Sequence, residues 1–151
     1  MFEEFLQRIA PYVVVCGSFA KGTENKESDI DCFLRSRPID EVDPEISNDT
    51  YMPEVLAIIK EYGFITDSVL IGHIAVEKQL GVPRMVEISS HYRIPYQNEL
   101  FYRDIYGIKL LCGQDNKDVD QEMCYDTAVW CDDINDMIIP HPIPQYEKVG
   151  D

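Results

Sequence analysis

Residues 13–34 read VVVCGSFAKGTENKESDIDCFL, and the order of residue types in that stretch decides the fold. Tyr12 to Cys16 is an apolar, β-branched run, the pattern of a strand covered on both faces. Gly17 ends it with a residue that tolerates a sharp turn and close backbone approach. Ser18 then stands where a helix cap would stand, with backbone N–H groups suited to a phosphate. A polar loop leads into a second strand, on which Asp29 and Asp31 are two residues apart and share one face, while Ile30 and Cys32 point to the other. Two adjacent carboxylates repel unless a cation sits between them, and hard oxygen ligands suit Mg²⁺. A phosphate turn beside a carboxylate pair implies a nucleotide and a divalent metal.

Gly17-Ser18, Gly22 and Ser28-Asp29-Ile30-Asp31 resemble the GS-x3-G-x5-SD-x-D signature of the nucleotidyltransferase superfamily that includes DNA polymerase beta, here in the form of its small, minimal members. The likeness covers about the first third of the chain. It implies an α+β fold, a mixed, mostly antiparallel small β-sheet flanked by helices. It further implies that Gly17, Ser18, Lys21, Gly22 and Ser28 serve the nucleotide. Asp29 and Asp31, with a third carboxylate from a neighbouring strand, would be both catalytic residues and metal ligands. Glu87, in the run RMVEISS, is the candidate for that third group, and Glu77 competes with it. Val86 and Ile88 flank Glu87 as buried neighbours, which leaves Glu87 on the opposite face.

Working outward, apolar residues at 2, 5, 6 and 9 have helical spacing and Pro11 stops the helix. Arg35 to Thr50 is polar, acidic and proline-containing, a surface loop. Tyr51 to Tyr62 is an amphipathic helix closed by Gly63, with Val55, Leu56, Ile58 and Ile59 facing the sheet. Phe64 to Val76 is extended as one or two strands, Gly81 marks a turn, and Pro83 to Ser90 is another strand. Asn98 to Tyr106 is expected to form a short helix and Ile108 to Cys112 a closing edge strand. Asp118 to Met137 has helical spacing, and prolines at 140, 142 and 144 end it. Residues 1–113 are thus read as the core and 114–151 as a helical extension and tail packed on the same domain. His73, His91 and His141 are assigned no role, the tyrosines at 92, 96, 102 and 106 offer packing or base stacking, and Trp130 is placed in the core.

The chain has 151 residues and a net charge of −15. So acidic a surface repels phosphate backbones, which excludes broad nucleic-acid or membrane binding. Five cysteines without a CxxC pair, and no basic, apolar leader, fit a reducing, cytoplasmic setting.

The resemblance implies transfer of an NMP group from an NTP to a hydroxyl of an RNA end, a protein or a small molecule, with release of pyrophosphate. Two Mg²⁺ ions, replaceable by Mn²⁺, would assist. The chain is short for a helical acceptor-binding lobe, so the acceptor falls to loops, to the C-terminal segment, to a homodimer partner or to a toxin-like protein partner. A non-catalytic nucleotide-binding or antitoxin-like interaction module on the same fold is the alternative, and a synthetase of nucleotide messengers is a third reading.

Overall fold

A computed structural model describes residues 1–35, 50–70, 73–89, 99–113, 128–134 and 136–140. Helix α1 (Phe2–Ile9) buries Phe2, Phe5, Leu6 and Ile9 on one stripe, carries Glu3 and Glu4 in its first turn and Arg8 in its last, and gives way to a 3₁₀ turn over Ala10–Tyr12. Strand β1 (Val13–Cys16) is buried along its whole length and runs directly into the short helix α2 (Gly17–Lys21). Strand β2 (Ile30–Leu34) alternates, with Ile30, Cys32 and Leu34 buried and Asp31 and Phe33 partly open. Helix α3 (Met52–Tyr62) ends at Gly63, whose φ of 70° is the left-handed cap expected there. Then come β3 (Thr66–Leu70), β4 (His73–Val76), β5 (Val86–Ser89), β6 (Phe101–Ile105), β7 (Ile108–Cys112), β8 (Val129–Cys131) and β9 (Asp136–Ile138).

Seven of the strands form one sheet in the order β3-β4-β5-β2-β1-β7-β6. The β2–β5 and β1–β7 pairs are parallel and the other four antiparallel, so the sheet is mixed and mostly antiparallel, within an α+β fold. One face carries the core: Val13 and Val15, Ile30, Cys32 and Leu34, Ile74 and Val76, Val86 and Ile88, Leu110 and Cys112 pack with the apolar stripes of α1 and α3. Burying each large aliphatic or aromatic side chain of this kind contributes about 1.5–3 kcal/mol. Phe5 anchors the helical layer, meeting Phe64 edge-on at 5.0 Å and Tyr62 at 5.9 Å. The opposite face is where the polar members of β2, β4 and β5 project.

Several expectations change. Residues 101–105 are a strand, because Phe101, Arg103 and Ile105 alternate with Tyr102 and Asp104 and pair with β7 through the tight Tyr106-Gly107 turn. Strand β7 is consequently interior, between β1 and β6, and β6 is the edge. Val129–Cys131 and Asp136–Ile138 pair as antiparallel strands instead of forming a helix. The strand pair is held from outside by a non-local ion pair: Asp136 is fully buried, its Oδ2 lies 3.4 Å from Arg35 Nε, and Arg35 donates to the carbonyls of Ile134 and Pro11. Arg35, read as the start of an exposed loop, is itself buried. Trp130 is only partly buried and donates its indole N–H to Asp132 Oδ1 at 3.0 Å. Residues 36–49 and 114–127, His91, His141, Tyr92 and Tyr96 lie outside the described residues.

Removing one partner of a buried pair leaves the other as an uncompensated charge. Asp136→Ala is therefore expected to cost about 3–5 kcal/mol, and Arg35→Met with Asp136→Leu to recover most of it. Urea unfolding of the three proteins measures this; equal losses in single and double variants contradict it.

Candidate functional site

Strand register builds the site. Asp31 lies opposite Cys16 on β1 and opposite Glu87 on β5, and Glu87 in turn opposes Ala75 on β4. The next row on the same face runs His73, Ser89, Phe33 and Val14. Two carboxylates thus sit side by side in mid-sheet, an arrangement that destabilises a strand pair unless charge is removed or compensated. Above them is a cavity of about 380 Å³ lined by Cys16, Gly17, Lys21, Asp31, Phe33, His73, Glu87 and Ser89. That volume is within the roughly 300–1,000 Å³ of small-molecule sites.

The turn at the head of α2 belongs to the same wall. Gly17 has φ of +69°, and a Cβ placed there would lie 2.7 Å from Asp31 Oδ2. Glycine is required twice over, for its backbone conformation and for the room it leaves the carboxylate. Cys16, not Ser18, caps the helix; Ser18 is its second residue and its carbonyl accepts the N–H groups of Gly22 and Thr23. Gly22 has φ of +74° as the C-terminal cap, with open space beside it. Ser28 braces the loop: its hydroxyl accepts from Asn25 N–H at 2.9 Å and donates to Asn25 Oδ1 at 3.3 Å.

Electrostatics follow from crowding. The Asp31 carboxyl is pushed up to about 6, first by burial, then by its hydrogen bond to Glu87 and by the charges of Glu87 and Asp29, with His73 opposing. Burial and the charge of Glu87 also raise Asp29, while Arg84 opposes. Beneath the sheet the thiols stay protonated: burial raises Cys32 strongly and Cys112 to about 11.

The structure therefore brings Gly17, Lys21, Asp31 and Glu87 around one cavity. Asp29 precedes β2 and lines a second cleft of about 310 Å³ together with Ser28, Glu77, Lys78 and Arg84. Glu77 is thus separated from Asp31, and Ser18 and Gly22 are not among the residues lining either space. Among the described residues no three His, Cys, Asp or Glu side chains converge closely enough to hold a metal as they stand. The donor chemistry nonetheless fits a hard divalent cation: clustered carboxylates with raised proton affinity exchange a shared proton for a metal.

Sequence reasoning missed three side chains here. His73 reaches the cavity only because β4 pairs with β5, which brings it opposite Ser89. Arg103 donates to the Phe19 carbonyl and to Glu24, and Arg84 donates to the carbonyls of Asn25 and Ser28, so two arginines from distant segments hold the signature loop. Only the mixture of registers reveals them.

Residues 2–94 match the family model described as "Nucleotidyltransferase domain". No curated protein and no solved structure matched the chain. No helix among the described residues is long and apolar enough to cross a membrane.

Two consequences are measurable. Gly17→Ala should lower the urea midpoint more than Gly22→Ala, although both residues have φ near +70°, because only Gly17 faces Asp31; equal losses contradict the close approach. For Asp31 the folded carboxyl binds its proton more tightly than the unfolded one, so its contribution to stability falls as pH rises from 3.8 through about 6. With a chelator present, the melting temperature of Asp31→Asn should gain on that of the native protein across this interval. A difference that does not change with pH contradicts the assignment.

Proposed function

Because the chain belongs to the nucleotidyltransferase domain family, we propose that it moves an NMP group from an NTP to a hydroxyl on an RNA end, a protein or a small molecule, releasing pyrophosphate. The observation that carries this reading is the direct register of Asp31 with Glu87 beside the Gly17 turn, all around one cavity. An acidic pair in mid-sheet has no structural advantage; beside the Gly17 turn and the cavity it has a chemical one.

In this reading Gly17 and Ser18 take the β- and γ-phosphates through backbone N–H groups and the serine hydroxyl, and Lys21, on the cavity wall, supplies the nearest positive charge. Gly22 and Ser28 fix the loop between turn and strand. Asp29, Asp31 and Glu87 would hold Mg²⁺, as two ions, or Mn²⁺; such ions, when bound, supply a Lewis acid for the triphosphate and favour the deprotonated acceptor. The acceptor oxygen forms a bond to the α-phosphorus, the bond to the bridging oxygen breaks, and pyrophosphate leaves. The hydroxyl proton passes to a carboxylate, and Glu87 faces the cavity to receive it. The acidic chain, at net −15, favours an acceptor that is neutral or cationic, or one held at a single end.

Purified protein incubated with Mg²⁺ and each α-labelled NTP, alone and with host lysate, tests the proposal. We expect labelled product and pyrophosphate, both lost by at least about a thousandfold in Asp31→Asn while the fold is retained. Nucleotide binding without transfer in the native protein would favour a non-catalytic module; transfer surviving in Asp31→Asn would remove the mechanism.

A further inference from the structure

One residue of the sheet's periphery breaks a local rule. Strands β6 and β7 are joined through Tyr106 and Gly107, with Ile105 opposite Ile108, a two-residue turn in which both central residues have positive φ, 53° and 79°. Such turns favour Asn, Asp or Gly at the first position; a tyrosine there is held in a conformation that costs free energy. Among the described residues Tyr106 is the sole non-glycine with positive φ. What it gains in return is specific. Its ring meets Phe2 edge-on at 5.3 Å, and its hydroxyl accepts a hydrogen bond from Arg84 Nε at 2.7 Å.

Arg84 is the hub of that contact. It lies just before β5, the strand that carries Glu87, with its guanidinium over the Phe19 ring of α2 at 4.9 Å. Its Nη1 donates to Asn25 O at 2.6 Å and to Ser28 O at 2.8 Å. Ser28 is the residue before Asp29, and Arg84 is the cation whose charge reaches the Asp29 carboxyl. A chain of direct contacts thus runs from Phe2 through Tyr106 and Arg84 to the backbone that presents Asp29.

We propose that Arg84, steadied by the hydroxyl of Tyr106, is a positioning residue that fixes the 25–29 loop and so sets where Asp29, which lines the cleft beside Arg84, stands relative to the Asp31–Glu87 pair. The role rests on the function proposed above and extends it to residues outside the signature. A planar guanidinium can bond two carbonyls and a phenol at once while stacking on Phe19; a lysine ammonium cannot reproduce that fork. Groups that orient metal ligands in this way alter cation affinity when they are removed, by roughly 10–100-fold, with little change in the ligands themselves.

The test uses Mn²⁺ as the probe, with affinity read by electron paramagnetic resonance on the full chain, next to thermal melting and amide hydrogen exchange over residues 25–30. Arg84→Lys and Tyr106→Phe should each weaken Mn²⁺ by about tenfold or more and speed exchange in that segment. Tyr106→Phe, which keeps the ring against Phe2, should leave the melting temperature unchanged and so remains decisive if Arg84→Lys folds poorly. Because Tyr106 acts through Arg84, the double variant should be no weaker than Arg84→Lys alone. Native affinity and native exchange in Tyr106→Phe would overturn the positioning role while leaving the proposed function intact. A native protein that binds no Mn²⁺ would overturn both.

Discussion

Two negative charges in register on neighbouring parallel strands are the constraint that the rest of the site answers. Burial first, then the hydrogen bond to Glu87 and its charge, push Asp31 up to about 6, and among the described residues no arginine or lysine stands on the same row of the sheet to relieve the crowding. Everything nearby is consistent with holding that tension in place. Gly17 withdraws its side chain so that Asp31 can stand against the turn, Val86 and Ile88 seal Glu87 into a strand that cannot slip, and the cavity stays open above the pair. A slip of one residue in β5 would turn Glu87 into the core and Ile88 toward the cavity, so core packing fixes the chemistry's geometry.

Support for the loop between the turn and the second strand comes from far away in sequence. Arg84 and Arg103 reach it from two different elements, Arg84 from the segment before β5 to the carbonyls of Asn25 and Ser28, and Arg103 from the edge strand β6 to the Glu24 carboxylate. The loop makes local bonds of its own through Asn25 and Ser28, but these are short-range and exposed. Rigid presentation of a side chain on a loop demands anchoring to other elements, and here the anchors are arginines bonded to loop carbonyls and to the Glu24 carboxylate.

How much of this was legible depends on the range of the interaction that decides each feature. The run VVVC, the Gly-Ser turn and the alternation of IDCFL are local, so strands 13–16 and 30–34 could be read directly, whereas Asp29 falls just before the second strand and lines a different cleft from Asp31. Glu87 could be nominated because apolar neighbours fix its face, although its register opposite Asp31 needs the sheet. The stretch Phe101–Ile105 was misread as helical although its side chains alternate; the Tyr-Gly turn that makes it a hairpin lacks the usual Asn or Asp. Strands β8 and β9 read as helical for a different reason: Ile134 and Asp136 are tied to Arg35, almost a hundred positions earlier, and no periodicity within the segment reports that. His73 and Arg84 belong to the same class: strand pairing gives His73 its neighbours, and long-range side-chain contacts give Arg84 its own.

The parallel pairing of β1 with β7 has a consequence for how the molecule comes into being. Val15 opposes Cys112, and Gly113 N–H bonds the Val15 carbonyl at 2.9 Å, so the strand that launches the Gly17 turn is walled on one side by residues made almost a hundred positions later. Until those residues leave the ribosome, β1 has an unpaired apolar edge, the kind of surface that invites association with other nascent chains. Closing such a distant pair is slow relative to hairpin formation. Within the matched span 2–94, β1 would stand at the edge of the sheet; the β6–β7 hairpin that covers it lies outside that span.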